Sequence, residues 1–577
     1  ITLEFEVGEP MGPSLVLVHS KIASNQDLLS PGVSPPTVKP KEVDDVPVLP
    51  LTLWSEEVDD ELLRTLAVDL LQHFKQLPMT GTGFVVGGRQ RQIRVEVEPG
   101  RLEGFGISLG QIAMTLKGFN SSMTVGAMEF AGQHHFVKSG GFLQSRSDVE
   151  KLVVGQHNGA PVFLRDVAHV IEGAQETQSM VLHSNGPAHP DRSARRVRDA
   201  AAVTIALAKQ ANTNGVEVVN NILTELEALK GYKIPENVNV TISRDYGKTA
   251  NDKVNGLLFK LLIATAAVTL LVWLSLGLTP SIVVLLTIPV ILVTTVFIAM
   301  LLGYTIDRVS LFALIFSIGI LVDDAIVVVE NIYRRWLRAG KMSTIIAVDA
   351  VREVGNPTIL ATYTVVAALV PMGFVRGMMG PYMEPIPVLG SVAMLLSLFS
   401  ALIFVPWLSV RMRPPMEHLK KMEEREKRMD ANLDSFFHRI LCMLMTNRWM
   451  SWGFLLFLII SFALSMWMFY AKSVTVKMLP FDNKPTLSLT IDMPEGTALP
   501  LTANLTRSLA AELQHVPEIL SLQSYIGNAQ PFDFNGLVRH YYMRKFPWQA
   551  DIAIQLLDKG DRERSSHEIA TDIRKRL

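Results

Sequence analysis

The chain has 577 residues, enough for several domains, and its 54 basic and 55 acidic side chains sum to a formal charge of −1. That balance gives no global field for nucleic acid or an acidic substrate, and the single cysteine, Cys442, leaves neither a disulfide framework nor a thiolate metal site. The hydrophobic share of 49% is only slightly high for a soluble protein, but it is crowded into 256–471, between water-facing stretches over 1–250 and 475–577.

The chain opens on Ile1, with no signal peptide or initiator methionine, and closes in mid-pattern on Asp572-Ile573-Arg574-Lys575-Arg576-Leu577, so both ends read as cut. An acidic cluster, Glu56, Glu57, Asp59 and Asp60, opens an amphipathic run over 58–76 that carries Leu62, Leu63, Leu66, Leu70 and Leu71. A turn is expected at Gly81-Thr82-Gly83, then an alternating strand, Gln92-Ile93-Arg94-Val95-Glu96-Val97. Because Gly81-x-Gly83 precedes a strand and not a helix, it does not read as a dinucleotide site. Short alternating runs and Gly pairs over 120–180 suit a hairpin-rich insert. Within it, His134-His135 reads as a surface doublet, since adjacent side chains of a strand face opposite ways. A strand over 202–207, a helix over 216–229 and a strand over 238–242 follow. Strand–helix–strand units of this size point to small α+β sandwiches of split-βαβ type.

Six stretches approach or exceed the roughly 20 apolar residues that a bilayer requires: 256–278, 280–303, 309–333, 355–375, 386–410 and 450–471. Pro289, Pro371 and Pro406 sit in or near them, as packed transmembrane helices tolerate. The connection after the third span carries Arg334, Arg335, Arg338, Lys341 and Arg352. The one after the fifth carries Arg411, Arg413, Lys420, Lys421, Arg425, Lys427 and Arg428. By the positive-inside rule both are cytoplasmic, which puts 1–250 and 475–577 outside. A helix on the inner membrane surface is expected within 415–448, on Phe436, Phe437, Ile440, Leu441 and Leu444. Met378, Met379 and Met383 could attract copper(I), but with 25 methionines in the chain composition accounts for them. A strand over 486–492 and a helix over 502–515 open a further α+β unit.

The sharpest feature is Gly319-Ile320-Leu321-Val322-Asp323-Asp324-Ala325-Ile326-Val327-Val328-Val329-Glu330-Asn331. A central Asp costs about 2.5–3.5 kcal/mol to insert, so two carboxylates about midway along a span need a reason. Neighbours on a helix project about 100° apart, so the two need not share a partner. A carboxylate that loads and unloads a proton inside the membrane suits a proton-coupled machine, and a salt bridge between helices is the plainer alternative. No Lys or Arg lies in the central part of any span, and Lys260 is near the end of its own.

The run Gly319–Asn331 resembles the fourth-helix signature of resistance-nodulation-division (RND) efflux transporters. The doublet Val322-Asp323-Asp324-Ala325 resembles the hydrophobe/amphiphile branch, of acriflavine-resistance protein B type, whereas the heavy-metal branch usually shows a single Asp followed by Ala. Residues 1–245 are similar to the family's first periplasmic loop, 250–411 to helices two through six and 450–471 to helix seven. Met478-Leu479-Pro480-Phe481-Asp482-Asn483 resembles the start of the second periplasmic loop.

The resemblance implies a polytopic α-helical membrane protein with α+β, ferredoxin-like periplasmic porter subdomains and a docking insert. Residues 1–49 would end a first porter subdomain, and 50–104 and 186–250 would form a second around the docking insert, 105–185. Transmembrane helices two to six would occupy 251–411, a cytoplasmic surface helix or linker 412–449 and helix seven 450–471, with a third porter subdomain beginning in 472–577. It further implies a homotrimer of the bacterial inner membrane that exports small amphiphilic compounds in exchange for protons. The partners would be a periplasmic adaptor and an outer-membrane channel; neither an enzymatic activity nor a cofactor is implied. Asp323 and Asp324 would be its proton relay, joined to a Lys and an Arg on helices ten and eleven, beyond residue 577. The stretch 81–88 is short against the family pattern, so no drug-pocket residue carries over. A metal-ion efflux permease of the same superfamily and a truncated, non-transporting remnant are the alternatives.

Overall fold

The computed structural model describes residues 2–577 apart from 7, 192–196, 376, 378, 414, 416–436, 439–440, 443 and 475–481. They fall into two compact units, 1–40 with 248–480 and 41–247 with 481–577.

The second unit begins with β1 (Leu49–Ser55), α1 (Asp60–Phe74) and β2 (Thr80–Val86). Helix α1 starts where the Asp59 carboxylate accepts from the Leu62 N–H, and Asp60 and Glu61 complement the dipole of its first turn. It buries Leu63, Ala67, Leu70, Leu71 and Phe74, a stripe at helical spacing. After a long insertion the chain returns as β10 (Ala200–Lys209), α2 (Gly215–Leu229) and β11 (Asn239–Ile242). All pairings are antiparallel, in the order β11-β1-β10-β2, so the four strands lie fourth-first-third-second. Both helices pack on one face, against Leu49, Leu51 and Leu53 of β1 and Val203, Ile205 and Leu207 of β10.

The turn expected at Gly81-Thr82-Gly83 is instead the middle of β2, with Gly83 opposite Leu207. A Cβ on Gly83 would lie 2.7 Å from the Leu71 side chain, and one on Gly81 2.4 Å from the Lys209 carbonyl oxygen. These glycines therefore permit close approach, and the chain reverses later, at Gly87 and Gly88, with φ of 89° and 71°. The strand over 91–97 forms as β3 (Arg91–Val97), but leaves the large sheet to pair with β8 (Ala168–Ala174).

Between them lie two hairpins, β4 (Ser121–Phe130) with β5 (Gln133–Gly141) and β6 (Val153–His157) with β7 (Ala160–Phe163). The β4–β5 hairpin is exposed along its whole length, His134 and His135 included. Strand β9 (Met180–Asn185) then enters the large sheet beside β10.

Among the described residues, the first unit supplies six helices long and apolar enough to cross a membrane: α3 (Tyr246–Leu276), α4 (Leu278–Leu301), α5 (Arg308–Ala339), α6 (Thr344–Phe374), α7 (Pro385–Arg411) and α8 (Arg448–Tyr470). Several outrun their apolar cores. Helix α5 continues to Gly340, whose left-handed φ of 60° ends it, so Arg334, Arg335 and Arg338 ride on its last turns and not on a connection. Helix α6 likewise starts at Thr344, with Asp349, Arg352 and Glu353 on its early turns. Apolar composition marks what a bilayer would accept, whereas capping and backbone bonding set where a helix ends. Pro289 and Pro357 lie inside α4 and α6, and α7 widens to a π-turn over Ser400–Phe404 just before Pro406. Val322, Ala325, Val328, Val329 and Ile332 of α5 pack with Val283 and Val284 of α4, Ala347 and Ala350 of α6, and Ala401 and Val405 of α7. Of the residues on which a surface helix was expected within 415–448, Phe437, Leu441 and Leu444 are described and helical, whereas Phe436 and Ile440 lie outside the described residues, as do Met378 and 478–481.

The second unit resumes with β12 (Thr486–Asp492), α9 (Leu499–Leu513), β13 (Ile519–Ile526), β14 (Gln549–Leu556) and α10 (Ser566–Arg576). The helix expected over 502–515 starts earlier because Pro500 favours the first turn of a helix. Strands β13, β14 and β12 lie side by side, and β9 joins β13 to β10, closing one eight-stranded sheet. At that seam the Thr204 and Tyr525 hydroxyls meet at 2.9 Å, as do those of Thr52 and Thr204.

Candidate functional site

Helix α5 is set by the Asp307 carboxylate, which accepts from the Val309 and Ser310 N–H groups, and runs apolar until Asp323 and Asp324. The rotation between neighbouring residues separates these two. Asp324 is 8% exposed and lies among α5, α6 and α7, whereas Asp323 is exposed. One carboxylate lies inside the helix packing and the other outside it.

The Asp324 side chain meets hydroxyls from two other helices. Ser397 on α7 donates to Oδ2 at 3.2 Å, and Thr362 on α6 donates to the same oxygen at 3.4 Å. Both hydroxyl residues are buried. The Thr362 hydroxyl is also 3.0 Å from the Thr358 carbonyl oxygen one turn back. Among the described residues, no basic side chain forms an ion pair with Asp323 or Asp324. A buried carboxylate held by neutral hydroxyls can exchange a proton without first breaking an ion pair.

Sequence reasoning named the acids and missed Thr362 and Ser397. The available signal was a hydroxyl near the middle of an apolar span, but Thr358, Thr364 and Ser400 offered the same signal. Toward the basic end of α5, Asn331 donates to the Ala350 carbonyl at 2.8 Å and the Arg335 guanidinium reaches Glu353 at 2.7 Å, tying α5 to α6.

The second unit has a separate concentration of aromatic and charged groups, on the connection from β13 to β14. Phe532 stacks on Phe84 of β2 with ring centres 6.0 Å apart, lies 5.7 Å from Tyr542, and carries the Lys41 ammonium 5.3 Å from its centre. Arg244, just after β11, donates to the carbonyls of Pro47, Pro531 and Phe532. Arg544 fastens the far end of the connection to Asp551, Asp492 and the Ile491 and Ala550 carbonyls. This cluster lay outside the sequence expectations.

A family model described as the AcrB/AcrD/AcrF family matches residues 1–577. The multidrug resistance protein MdtC of Pantoea ananatis is similar to the chain, 29% identical over 482 residues, which is 82% of this chain and 44% of that protein. MdtC of Yersinia enterocolitica is 28% identical over 413 residues, 70% of this chain and 38% of its own. MdtC of Yersinia pestis is 29% identical over the same length and shares. The chain spans less than half the length of these curated relatives.

Proposed function

The chain belongs to the AcrB/AcrD/AcrF family, and from that membership we propose that it forms part of a proton-driven exporter of hydrophobic or amphiphilic compounds in a bacterial inner membrane. The observation that carries this reading is Asp324. It is a carboxylate buried about midway along a spanning helix, held through one oxygen by hydroxyls from two neighbouring helices. A proton moving through 100 mV delivers about 2.3 kcal/mol, and a group that alternates between charged and neutral inside the packing converts that energy into helix movement. Asp323, one position earlier and exposed, is the second member of the relay.

In this reading the sheet unit is periplasmic. The fourth-first-third-second arrangement is a ferredoxin-like porter subdomain, β12 to α10 begins another, and 105–185 is the docking insert. The exposed β4–β5 hairpin, with Met123, Val125, Met128, Phe130 and Phe136 on its surface, is the arm by which a homotrimer would assemble. The name carried by the relatives, multidrug resistance protein, supports drugs as cargo; a periplasmic adaptor and an outer-membrane channel are the partners that the family membership implies.

The test is Asp324→Asn, and separately Asp323→Asn, in the protein expressed from its own gene. Each should return the host's dye and detergent tolerance to that of a deletion strain while membrane level and trimer cross-linking stay normal. Undiminished tolerance in Asp324→Asn would overturn the reading. Copper or zinc tolerance that follows the acids while dye tolerance does not would replace drugs with metals as cargo.

A further inference from the structure

The hydroxyl of Thr362 is placed between two acceptors on different helices, the Asp324 Oδ2 of α5 at 3.4 Å and the Thr358 carbonyl of its own helix α6 at 3.0 Å. A hydroxyl has one proton to donate, so the two bonds compete. We propose that Thr362 is the positioning residue that reports the protonation state of Asp324 to α6, its hydroxyl turning to the carboxylate when that is ionised and to Thr358 when it is not. The inference rests on Asp324 acting as the proton carrier.

An ionised carboxylate is the stronger acceptor, so loss of its charge shifts the balance toward the carbonyl. A proton that binds Asp324 need not come from Thr362. It adds to a carboxylate oxygen from the surrounding path and leaves by the same atom, while the threonine keeps its own proton and only its O–H turns about the Cβ–Oγ1 bond. A Thr hydroxyl bonded to the carbonyl one turn back bends its helix slightly, so the rotation has a mechanical consequence in α6. Ser397 approaches Oδ2 from a different helix, α7, at 3.2 Å. Oδ2 therefore receives both hydroxyls.

Few other ionisable groups share this neighbourhood. On α5 the nearest are Asp323 and Glu330. On α6 Tyr363 is exposed, and Asp349, Arg352 and Glu353 lie at least nine residues back, about 13 Å along the axis. Helix α4 contains no ionisable side chain, and α7 has only Arg411 at its end. Among the described residues, no other charge stands between Thr362 and its carboxylate.

The experiment compares Thr362→Val, which keeps the shape and removes the hydroxyl, with Thr362→Ser, which keeps the hydroxyl, in the protein expressed from its own gene. Dye export from cells is measured as a function of external pH. Thr362→Val should displace the pH of half-maximal export by about half a unit, a roughly threefold change in apparent proton affinity, while Thr362→Ser keeps the original profile. A Thr362→Val profile superimposable on the original, at normal membrane level, overturns the proposal. So does an equal displacement in Thr362→Ser, which would mark packing as the cause. Asp324→Asn is run beside them: if it still exports, the transport reading itself fails, whereas its loss with an unmoved Thr362→Val profile removes only the role of Thr362.

Discussion

The two units each bury an aspartate, and they do so in opposite ways. In the sheet unit the Asp551 side chain is fully buried, and its Oδ1 accepts from Arg544 Nε at 2.9 Å while Oδ2 accepts from the Gln530 N–H. Arg544 spends its remaining donors on Asp492 and on the carbonyls of Ile491 and Ala550, so both charges are matched and the connection from β13 to β14 is held shut. In the membrane unit Asp324 has hydroxyls and no ion-pair partner among the described residues. Neutralising a paired carboxylate breaks its ion pair, although burial outweighs Arg544 and pushes the Asp551 carboxyl above its ordinary range; a carboxylate with only neutral donors has no such pair to break. The same side chain is a fastener in one place and, in the function proposed above, a switch in the other, because of what faces it.

The largest expected effect breaks the fastener. Arg544→Met leaves Asp551 buried and uncompensated, which costs about 3–5 kcal/mol, and should lower the unfolding temperature of the solubilised protein sharply. Adding Asp551→Leu should restore most of the loss, since an apolar pair of similar volume replaces a buried ion pair at little cost. If the single variant is no less stable than the double, the contrast with Asp324 fails. Asp324→Asn in the same assay should leave unfolding unchanged, because a switch contributes to transport and not to the resting fold.

A second, somewhat smaller effect comes from the seam of the sheet. His183 on β9 stacks on Trp54 at 4.7 Å, its Nε2 lies 2.9 Å from the Asn185 side-chain oxygen, and burial pushes its imidazole down to about 4 from an ordinary 6.5. The unfolded chain takes up a proton as pH falls through 6.5, while the folded seam refuses it until about 4. Stability is therefore complete above that window and lost as pH falls through it, by about 3 kcal/mol for the whole shift. Unfolding measured from pH 7 to pH 4 should show this slope, and His183→Gln should flatten it. An unchanged slope would mean that His183 is not the neutral group holding β9 between β10 and β13.

The soluble elements were legible where periodicity was clean. Helices α1 and α2 bury stripes at helical spacing, and β12 begins and ends where the alternation does. The reading slipped at Gly81 and Gly83, because a glycine needed for close approach looks the same in sequence as one needed for a turn. In the membrane helices nearly every position is apolar, so the sequence locates the spans but cannot say which face turns inward. For that reason Asp323 and Asp324 read as equals until the packing of Val322, Ala325 and Val329 separated them. Thr362 was no more conspicuous than Thr364, which bonds only within its own helix and is exposed. The pairing of Arg544 with Asp551 was equally hidden, since nothing in the spacing of seven residues announces that the connection turns back onto β14.

The smallest expected effect sharpens the contrast by holding the chemistry constant. Arg335 and Glu353 form an Arg–carboxylate pair at 2.7 Å, much as Arg544 and Asp551 do at 2.9 Å. Their side chains, however, are 41% and 52% exposed, against 11% and 0% for the sheet pair. An exposed pair gains little over its two hydrated partners, and each long side chain must be ordered to make it. Glu353→Gln should therefore leave the unfolding temperature where it was, and added salt should change neither protein. The bond from Asn331 to the Ala350 carbonyl survives the substitution and continues to tie α5 to α6. A clear loss of stability in Glu353→Gln would show that the end of the membrane unit is closed by charge, as the sheet unit is, and that burial alone does not separate fastener from ornament in this protein.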